Sequence, residues 1–297
     1  MHEILHSMLH AVEHTLWDTA KLFPFLFLSY LLMEFLEHKS SDVTLRYLSR
    51  SGKVGPLVGG ALGALPQCGF SAAASGLYTG RIITTGTLIA VYLSTSDEML
   101  PILISEGASL SFILKILGAK LLIGVLAGFA VDLISRLLRR GGNAQEQTRI
   151  EELCEREGCR CGEHFLLSAL RHTLRVTVFV LALGFVLNFG VELLGEDRLG
   201  AFVLNRPVLA NLLASLVGLI PNCASSVVLT ELYLGGVLSV GGMLSGLLVN
   251  AGIGLALLFR NNRPVGDSFR ILLILWAVGV AAGIVVDLTP LGTFLSI

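Results

Sequence analysis

The sequence predicts an all-α membrane protein, an inverted-repeat helical bundle of about ten helical membrane elements that includes two re-entrant or broken-helix hairpins. Composition is the first observation behind this prediction, because 54% of the 297 residues are hydrophobic and only 14% are charged. A soluble domain carries about 25% charged residues. The second observation is an internal repeat, and the third is a proline-interrupted segment in each copy.

Several apolar stretches approach or exceed the roughly 20 residues that a helix needs to cross hydrocarbon. They comprise residues 16–36, 54–79, 82–105, 110–135, 173–194, 208–259 and 271–288. We therefore expect a multi-pass protein whose first partner is the lipid bilayer. Met1 to Ala20 lacks the basic start of a cleavable signal, so we expect it to remain in the mature chain. The net charge of -1 gives no indication of nucleic-acid binding.

The internal repeat is found when the sequence is shifted by 155 residues. Residues 63–93 then align without a gap on residues 218–248 with nine identities, and residues 115–133 align on residues 270–288 with nine more. Apolar composition alone would rarely align prolines, glycines and aspartates together. The predicted organisation is an outward-facing amphipathic His-rich segment, a first repeat, a cytoplasmic linker that contains cysteines and a second, inverted repeat, at residues 1–15, 16–138, 139–171 and 172–297.

The proline-interrupted segment of the first copy covers residues 54–79. Its centre, Leu65 to Gly69, contains Pro66, which removes a hydrogen-bond donor, and a glycine, which loosens the backbone. The pieces on either side are too short to cross a bilayer alone. We interpret the segment as a re-entrant hairpin and Leu219 to Cys223 as the tip of its counterpart.

The Lys and Arg residues favour one topology. They cluster in residues 37–53, at Arg81, in the linker and after residue 259, and cytoplasmic loops carry such an excess. All of these positions are cytoplasmic only if each hairpin enters and leaves on the same side. Each copy then crosses the membrane an odd number of times, which inverts the second copy as in many secondary transporters. Both termini are expected outside.

Polar side chains at the two hairpin tips predict a binding site. A helix of about 13 residues from Val54 reaches roughly 20 Å inward, past the middle of a hydrocarbon core of about 30 Å. The two tips, approaching from opposite faces, would overlap there. The candidate ligands are Gln67, Cys68, Ser71, Asn222, Cys223, Ser225 and Ser226. The alternative is that these side chains only satisfy the bends.

A second group of candidate ligands lies at a break within residues 82–105. Its members are Ser94, Thr95, Asp97 and Glu98. Acids inside a membrane usually face a cavity, a cation or a proton path, so Asp97 is the first candidate for ion coordination or coupling and Glu98 the second. The alternative places both acids at the outer interface. In the second copy, Asn250 keeps an oxygen ligand without the charge.

Matched acids and glycines have simpler interpretations. Asp132 and Asp287 align with each other near helix ends, where anchoring at the membrane interface is the favoured explanation. Glycines four residues apart, such as Gly124 and Gly128, predict close helix packing.

Two polar appendages carry possible accessory metal ligands. Four histidines recur every four residues, which would place neighbours on one helix face to share a metal ion; they are His2, His6, His10 and His14. An interfacial amphipathic helix is the equal alternative. The linker offers four more ligands, and their spacing fits no standard zinc motif; they are Cys154, Cys159, Cys161 and His164.

Three strings carry a resemblance to a known family, namely Lys21 to Leu28, Leu65 to Ser75 and Leu93 to Pro101. They resemble the bacterial family of ten-helix heavy-metal exporters, whose members are also labelled arsenic-efflux-like or manganese transporters. The resemblance covers nearly the whole chain. It implies ten helical elements, a location in the bacterial inner (plasma) membrane and export of a metal.

The predicted function is secondary-active transport by alternating access, with no enzymatic activity and no cofactor. Manganese prefers carboxylate, amide and hydroxyl oxygens, whereas arsenite and soft ions prefer thiolates. Asp97 beside the oxygen ligands favours export of a divalent metal ion such as manganese. The sequence is compatible with a coupling proton and with a homodimer. The alternatives are transport of arsenite or of a small organic anion and, least favoured, an intramembrane enzyme. No Gly-x-x-x-x-Gly-Lys-Ser/Thr string for ATP is present.

Overall fold

The structure is a computed structural model that describes residues 27, 52–64, 68–96, 99–138, 174, 178, 207–220, 224–262 and 264–295. Every regular element in these residues is helical, as the sequence predicts. Four stretches of them are long and apolar enough to cross a membrane: Thr85–Ser105, Leu110–Leu137, Val240–Asn261 and Val265–Leu288. The described part of the chain is therefore that of a helical, multi-pass membrane protein.

Five helices follow one another in the first copy. They are α1 (Gly55–Gly63), α2 (Cys68–Thr79), α3 (Thr85–Ser94), α4 (Met99–Ser105) and α5 (Leu110–Leu138), with a short 3-10 turn at Gly52–Val54 before α1. α3 begins after Thr84, whose hydroxyl oxygen accepts a hydrogen bond from the Thr87 N–H and so satisfies one of the free donors of the first turn.

Six further helices are described in the second copy. They are α6 (Pro207–Gly218), α7 (Ala224–Leu234), α8 (Val240–Val249), α9 (Ile253–Asn261), α10 (Val265–Leu288) and α11 (Leu291–Leu295). Ser239 caps α8 by accepting from the Gly242 N–H. Since the 155-residue shift carries Thr84 to Ser239, the sequence repeat is also a repeat of local structure.

Both copies contain interrupted helices. Helical structure stops at Gly63 and resumes at Cys68, and it stops at Gly218 and resumes at Ala224, on either side of the two prolines. The tips themselves lie outside the described residues. A second pair of interruptions separates α3 from α4 and α8 from α9, where Gly252 has a φ of +53° that suits glycine best.

Within each copy three helices pack tightly: α1, α3 and α5 in the first, and α6, α8 and α10 in the second. Glycines allow this approach, as the four-residue spacing predicts. A Cβ on Gly86 would lie 2.1 Å from the carbonyl oxygen of Gly128, and a Cβ on Gly241 would lie 2.4 Å from that of Gly283. The backbones therefore touch at equivalent points of the two copies.

The matched acids hold helix N-termini in place. The carboxylate of Asp132 accepts from the Gly86 N–H at 2.8 Å and from the Thr84 hydroxyl at 2.7 Å. Asp287 accepts in the same way from Gly241 at 3.0 Å and from Ser239 at 2.9 Å. Because a negative charge is stabilised at a helix N-terminus, these acids fix the starts of α3 and α8, a role that the sequence alone did not reveal.

The two copies contact each other through two helix pairs, each made of one helix from either copy. α2 packs on α9, and α4 packs on α7, which are the same pair under the 155-residue shift. Beside the first pair, the hydroxyl of Tyr92 in α3 donates to the carbonyl oxygen of Gly254 in α9 at 3.0 Å. The Ser75 hydroxyl lies 2.6 Å from the Tyr92 oxygen and 2.8 Å from the same carbonyl. Buried polar contacts thus join the copies at the level of the helix breaks.

Candidate functional site

A narrow pocket lies where the interrupted helices of the two copies meet. It is too narrow in this conformation to admit a water molecule. Its walls come from four helix ends and the middle of α5. The lining residues are Thr95, Ser96, Met99, Lys120, Ser226, Leu247 and Asn250.

Helix ends make this pocket polar. Thr95 follows the C-terminal end of α3, and Asn250 follows that of α8, while Ser226 lies in the first turn of α7. The last carbonyls and first N–H groups of a helix have no partner within the helix. At membrane depth such groups are tolerated only where protein or a cavity satisfies them, so converging ends mark a place built to hold polar atoms.

Lys120 supplies a positive charge inside the pocket. Its side chain is 1% exposed, and its ammonium donates to the carbonyl oxygen of Leu247 at 2.9 Å and to that of Thr95. Ten residues of helix separate it from Leu110, about 15 Å, which is half of a hydrocarbon core of about 30 Å. Both carbonyls belong to helix C-termini, whose partial negative charge favours a cation. The ammonium therefore bridges the two copies, and it does so within an apolar stretch, Leu110–Leu137, that is long enough to cross a membrane.

Sequence reasoning missed Lys120. The signal was present, because a lysine ten residues into a long apolar helix is a functional candidate by default. The 155-residue shift places it on Leu275, so the repeat does not mark it as a matched polar position.

Three of the predicted site residues line the pocket together, namely Thr95, Ser226 and Asn250. In this conformation two of them also hold bends: the Thr95 hydroxyl donates to the Val91 carbonyl at 2.8 Å, and the Asn250 amide oxygen accepts from the Gly252 N–H at 3.1 Å. At Thr95 and Asn250 the side chains therefore satisfy backbone groups next to the helix breaks. A bound ion would have to replace one of these hydrogen bonds or use the remaining lone pairs.

Three other predicted residues are buried but do not line this pocket. Ser94 is directed at α5, because its hydroxyl oxygen would lie 2.4 Å from a Cβ on Gly124; it has no hydrogen-bond partner among the described residues. Ser71 packs against Gly254. Ser225 is 3.3 Å from the carbonyl oxygen of Ile220, beside the tip rather than in the pocket.

The remaining predicted ligands cannot be placed. Asp97, Glu98, Gln67, Asn222 and Cys223 lie outside the described residues, as do the histidines of the N-terminal segment and the cysteines and histidine of the linker. Cys68 begins α2, but its side chain is not described. Within the described ranges no group of three or more His, Cys, Asp or Glu residues could hold a metal. The described wall offers oxygen atoms, a thioether and one ammonium.

A polar cluster joins the copies at the ends of α2 and α10. The Tyr78 hydroxyl donates to the Asp267 carboxylate at 2.7 Å, and the Asn262 amide donates to the same oxygen at 3.2 Å. The Arg81 guanidinium lies 3.6 Å from it. We call these residues the polar closure.

An aromatic pair occupies the equivalent place. The 155-residue shift carries Tyr78 to Tyr233 and Phe112 to Asp267. The rings of Tyr233 and Phe112 are stacked, with centroids 5.5 Å apart and planes at 9°. We call Phe112 and Tyr233 the aromatic closure. It occupies the position in one half of the repeat that the polar closure occupies in the other, with stacked rings in place of hydrogen bonds.

The comparisons with known proteins agree with this architecture. No curated protein and no solved structure matches the chain. The model of one family, described as "Putative, 10TM heavy-metal exporter", matches residues 5–166. That match covers more than half of the chain and includes all three strings on which the resemblance rests. The chain therefore belongs to this family of ten-transmembrane heavy-metal exporters.

Proposed function

We propose that this chain is a secondary-active transporter that exports a divalent heavy-metal ion such as manganese by alternating access. The pocket is the observation that carries the proposal, because it joins the broken helices of both copies around the Lys120 ammonium. Secondary transporters bind coupling ions and substrates at such breaks, where unwound carbonyls and helix C-termini coordinate cations.

The chemistry of the wall favours a cation. Carbonyl oxygens of Thr95 and Leu247 meet at the ammonium, and hydroxyl and amide groups stand beside them. Oxygen atoms of this kind are the ligands of hard divalent ions. Asp97 and Glu98 are the two residues of the chain between Ser96 and Met99, which both line the pocket. We propose that these acids complete the coordination and exchange the coupling proton, with the polar groups of the hairpin tips as further ligands.

A second candidate substrate is an anion, either a metal oxyanion or a small organic acid. Lys120 supplies the positive charge it would need, and Ser226 lies in the first turn of α7, an end of a helix that favours negative charge. Two carbonyl oxygens already surround the ammonium, however, and they would repel an anion. We therefore place the divalent cation first.

The two closures support alternating access. In the inverted-repeat topology, equivalent contacts lie on opposite sides of the membrane. The polar closure then belongs to the cytoplasmic side, where Arg81 and Arg260 are expected, and the aromatic closure to the outer side. Both are formed here, and the pocket has no room for a water molecule in this conformation. Opening one closure at a time would expose the pocket to one side at a time.

Metal flux tests this proposal. Purified protein in proteoliposomes should carry Mn²⁺, and Asp97→Asn should reduce the flux at least tenfold, because the carboxylate proposed to coordinate the metal is lost. Glu106→Gln is the matched control, since Glu106 is exposed after α4 and its loss should leave flux unchanged. Co²⁺, Zn²⁺ and arsenite would be measured in parallel. Flux of arsenite or of an organic anion without flux of any divalent ion would contradict the proposal.

A further inference from the structure

The ammonium of Lys120 fills the position that a bound cation would take. It donates to two backbone carbonyls, one from the end of α3 and one from the last turn of α8. Carbonyl oxygens that are not used within a helix coordinate hard cations.

The equivalent position of the second copy carries no charge. Under the 155-residue shift, Lys120 corresponds to Leu275, which is fully buried in the second copy. An apolar side chain therefore fits the equivalent place in the same three-helix packing. Because an ionised side chain at membrane depth is costly and usually functional, the lysine of the first copy calls for a role in the site.

We propose that Lys120 is a tethered cation that occupies the metal position in the empty transporter and competes with the transported metal. This inference rests on the proposed function, since it names the residue that the metal must displace. Two cations repel strongly at the distance of a shared carbonyl. The flexible stem of the lysine, with four methylenes, allows its ammonium to leave when a metal ion enters.

Competition with a single positive charge also selects for ion charge. A monovalent ion that replaces the ammonium gains no additional attraction to the carbonyls, whereas a divalent ion gains about twice as much Coulomb energy. Lys120 therefore disfavours Na⁺ and K⁺. It also favours release, because the returning ammonium takes over the carbonyls as the metal departs.

Binding by neutral variants tests the inference. Lys120→Met and Lys120→Gln should bind Mn²⁺ at least tenfold more tightly than the wild type in titration calorimetry of the purified chain, because the competitor is gone. Na⁺ should then weaken Mn²⁺ binding in these variants but not in the wild type. Lys120→Arg keeps the charge and should bind as weakly as the wild type. Mn²⁺ flux in proteoliposomes should fall in the neutral variants, since release slows.

The two neutral variants protect the test against misfolding. Lys120→Gln keeps donors for the same carbonyls, so a failure of Lys120→Met to fold leaves the glutamine variant informative. Unchanged or weaker Mn²⁺ binding by the folded neutral variants would overturn the inference. So would loss of arsenite or acetate binding in them, since Lys120 would then be an anion ligand. If the wild type transports no divalent ion at all, the proposed function fails instead. The flux of the wild type tests the proposed function, and the Mn²⁺ affinity of the neutral variants tests the inference about Lys120, so the two failures are distinguishable.

Discussion

Removing the hydroxyl of Tyr78 should loosen the polar closure and expose the pocket. The phenol is 3% exposed and donates to the Asp267 carboxylate at 2.7 Å. Hydrogen bonds to charged groups contribute about 1.5–3 kcal/mol. Asn262 and Arg81 remain on the same carboxylate in Tyr78→Phe, and the arginine contributes little because it is 43% exposed. We therefore expect the loss of this hydrogen bond to weaken the polar closure by the lower value, about 1.5 kcal/mol. This energy corresponds to about a tenfold rise in the population of molecules with the closure open.

The reactivity of a cysteine in the pocket would report this change. Ser226→Cys, in a chain whose native cysteines are replaced by serine, places a thiol at a position that is 2% exposed. Adding Tyr78→Phe should raise its reaction rate with a water-soluble thiol reagent about tenfold in detergent, provided that opening precedes reaction.

Thr79→Val is the matched control for that experiment. Thr79 neighbours Tyr78, but its hydroxyl donates to the Ser75 carbonyl of its own helix at 2.8 Å, so this hydrogen bond does not join the copies. The valine variant should react at the parent rate. The reasoning is refuted if Tyr78→Phe leaves the rate unchanged, or if Thr79→Val raises it equally.

Three further predictions concern the stability of the bundle, measured by thermal unfolding in detergent. Gly86→Ala should destabilise by about 1–3 kcal/mol because the helices must separate, whereas Gly118→Ala, with open space at its Cβ, should be neutral or slightly stabilising; equal effects would contradict the packing argument. Asp132→Asn should lower stability by about 1–2 kcal/mol through loss of the charge at the start of α3, and an unchanged melting temperature would count against that role. Tyr92→Phe should cost about 1 kcal/mol by removing the donor to the Gly254 carbonyl, and no loss would show that this contact does not hold the copies together.

Hydropathy and the repeat predict the architecture well because both are properties of the local sequence. A helix long enough to span hydrocarbon is visible in its composition, and the prolines and glycines mark its interruptions. The pairs that join distant helices are different. Asp132 aligns with Asp287 in the sequence, but that each one fixes the start of another helix depends on packing across 46 residues.

The site could be predicted only in part, for reasons visible at the break after α3. Thr95 lines the pocket, whereas its neighbour Ser94 is the last helical residue and is directed at α5. One helical step turns a side chain by about 100°, so adjacent polar residues reach different surroundings. Lys120 lies on α5, which contains no break, so the sequence pattern of the breaks does not indicate it. Its contact with the carbonyl oxygen of Leu247 arises only when the chain folds.

Alternate opening of the two closures is the central claim, and paired distance measurements test it most directly. Spin labels at Ile82 and Gly266 would span the polar closure, and labels at Val237 and Ser111 would span the aromatic closure at the equivalent positions. We expect that, when Mn²⁺ is added or the pH is changed in lipid nanodiscs, the label distance across one closure lengthens. In the same molecules the label distance across the other closure should stay short. Two distances that lengthen together, or that never change under conditions of measurable metal flux, would contradict it.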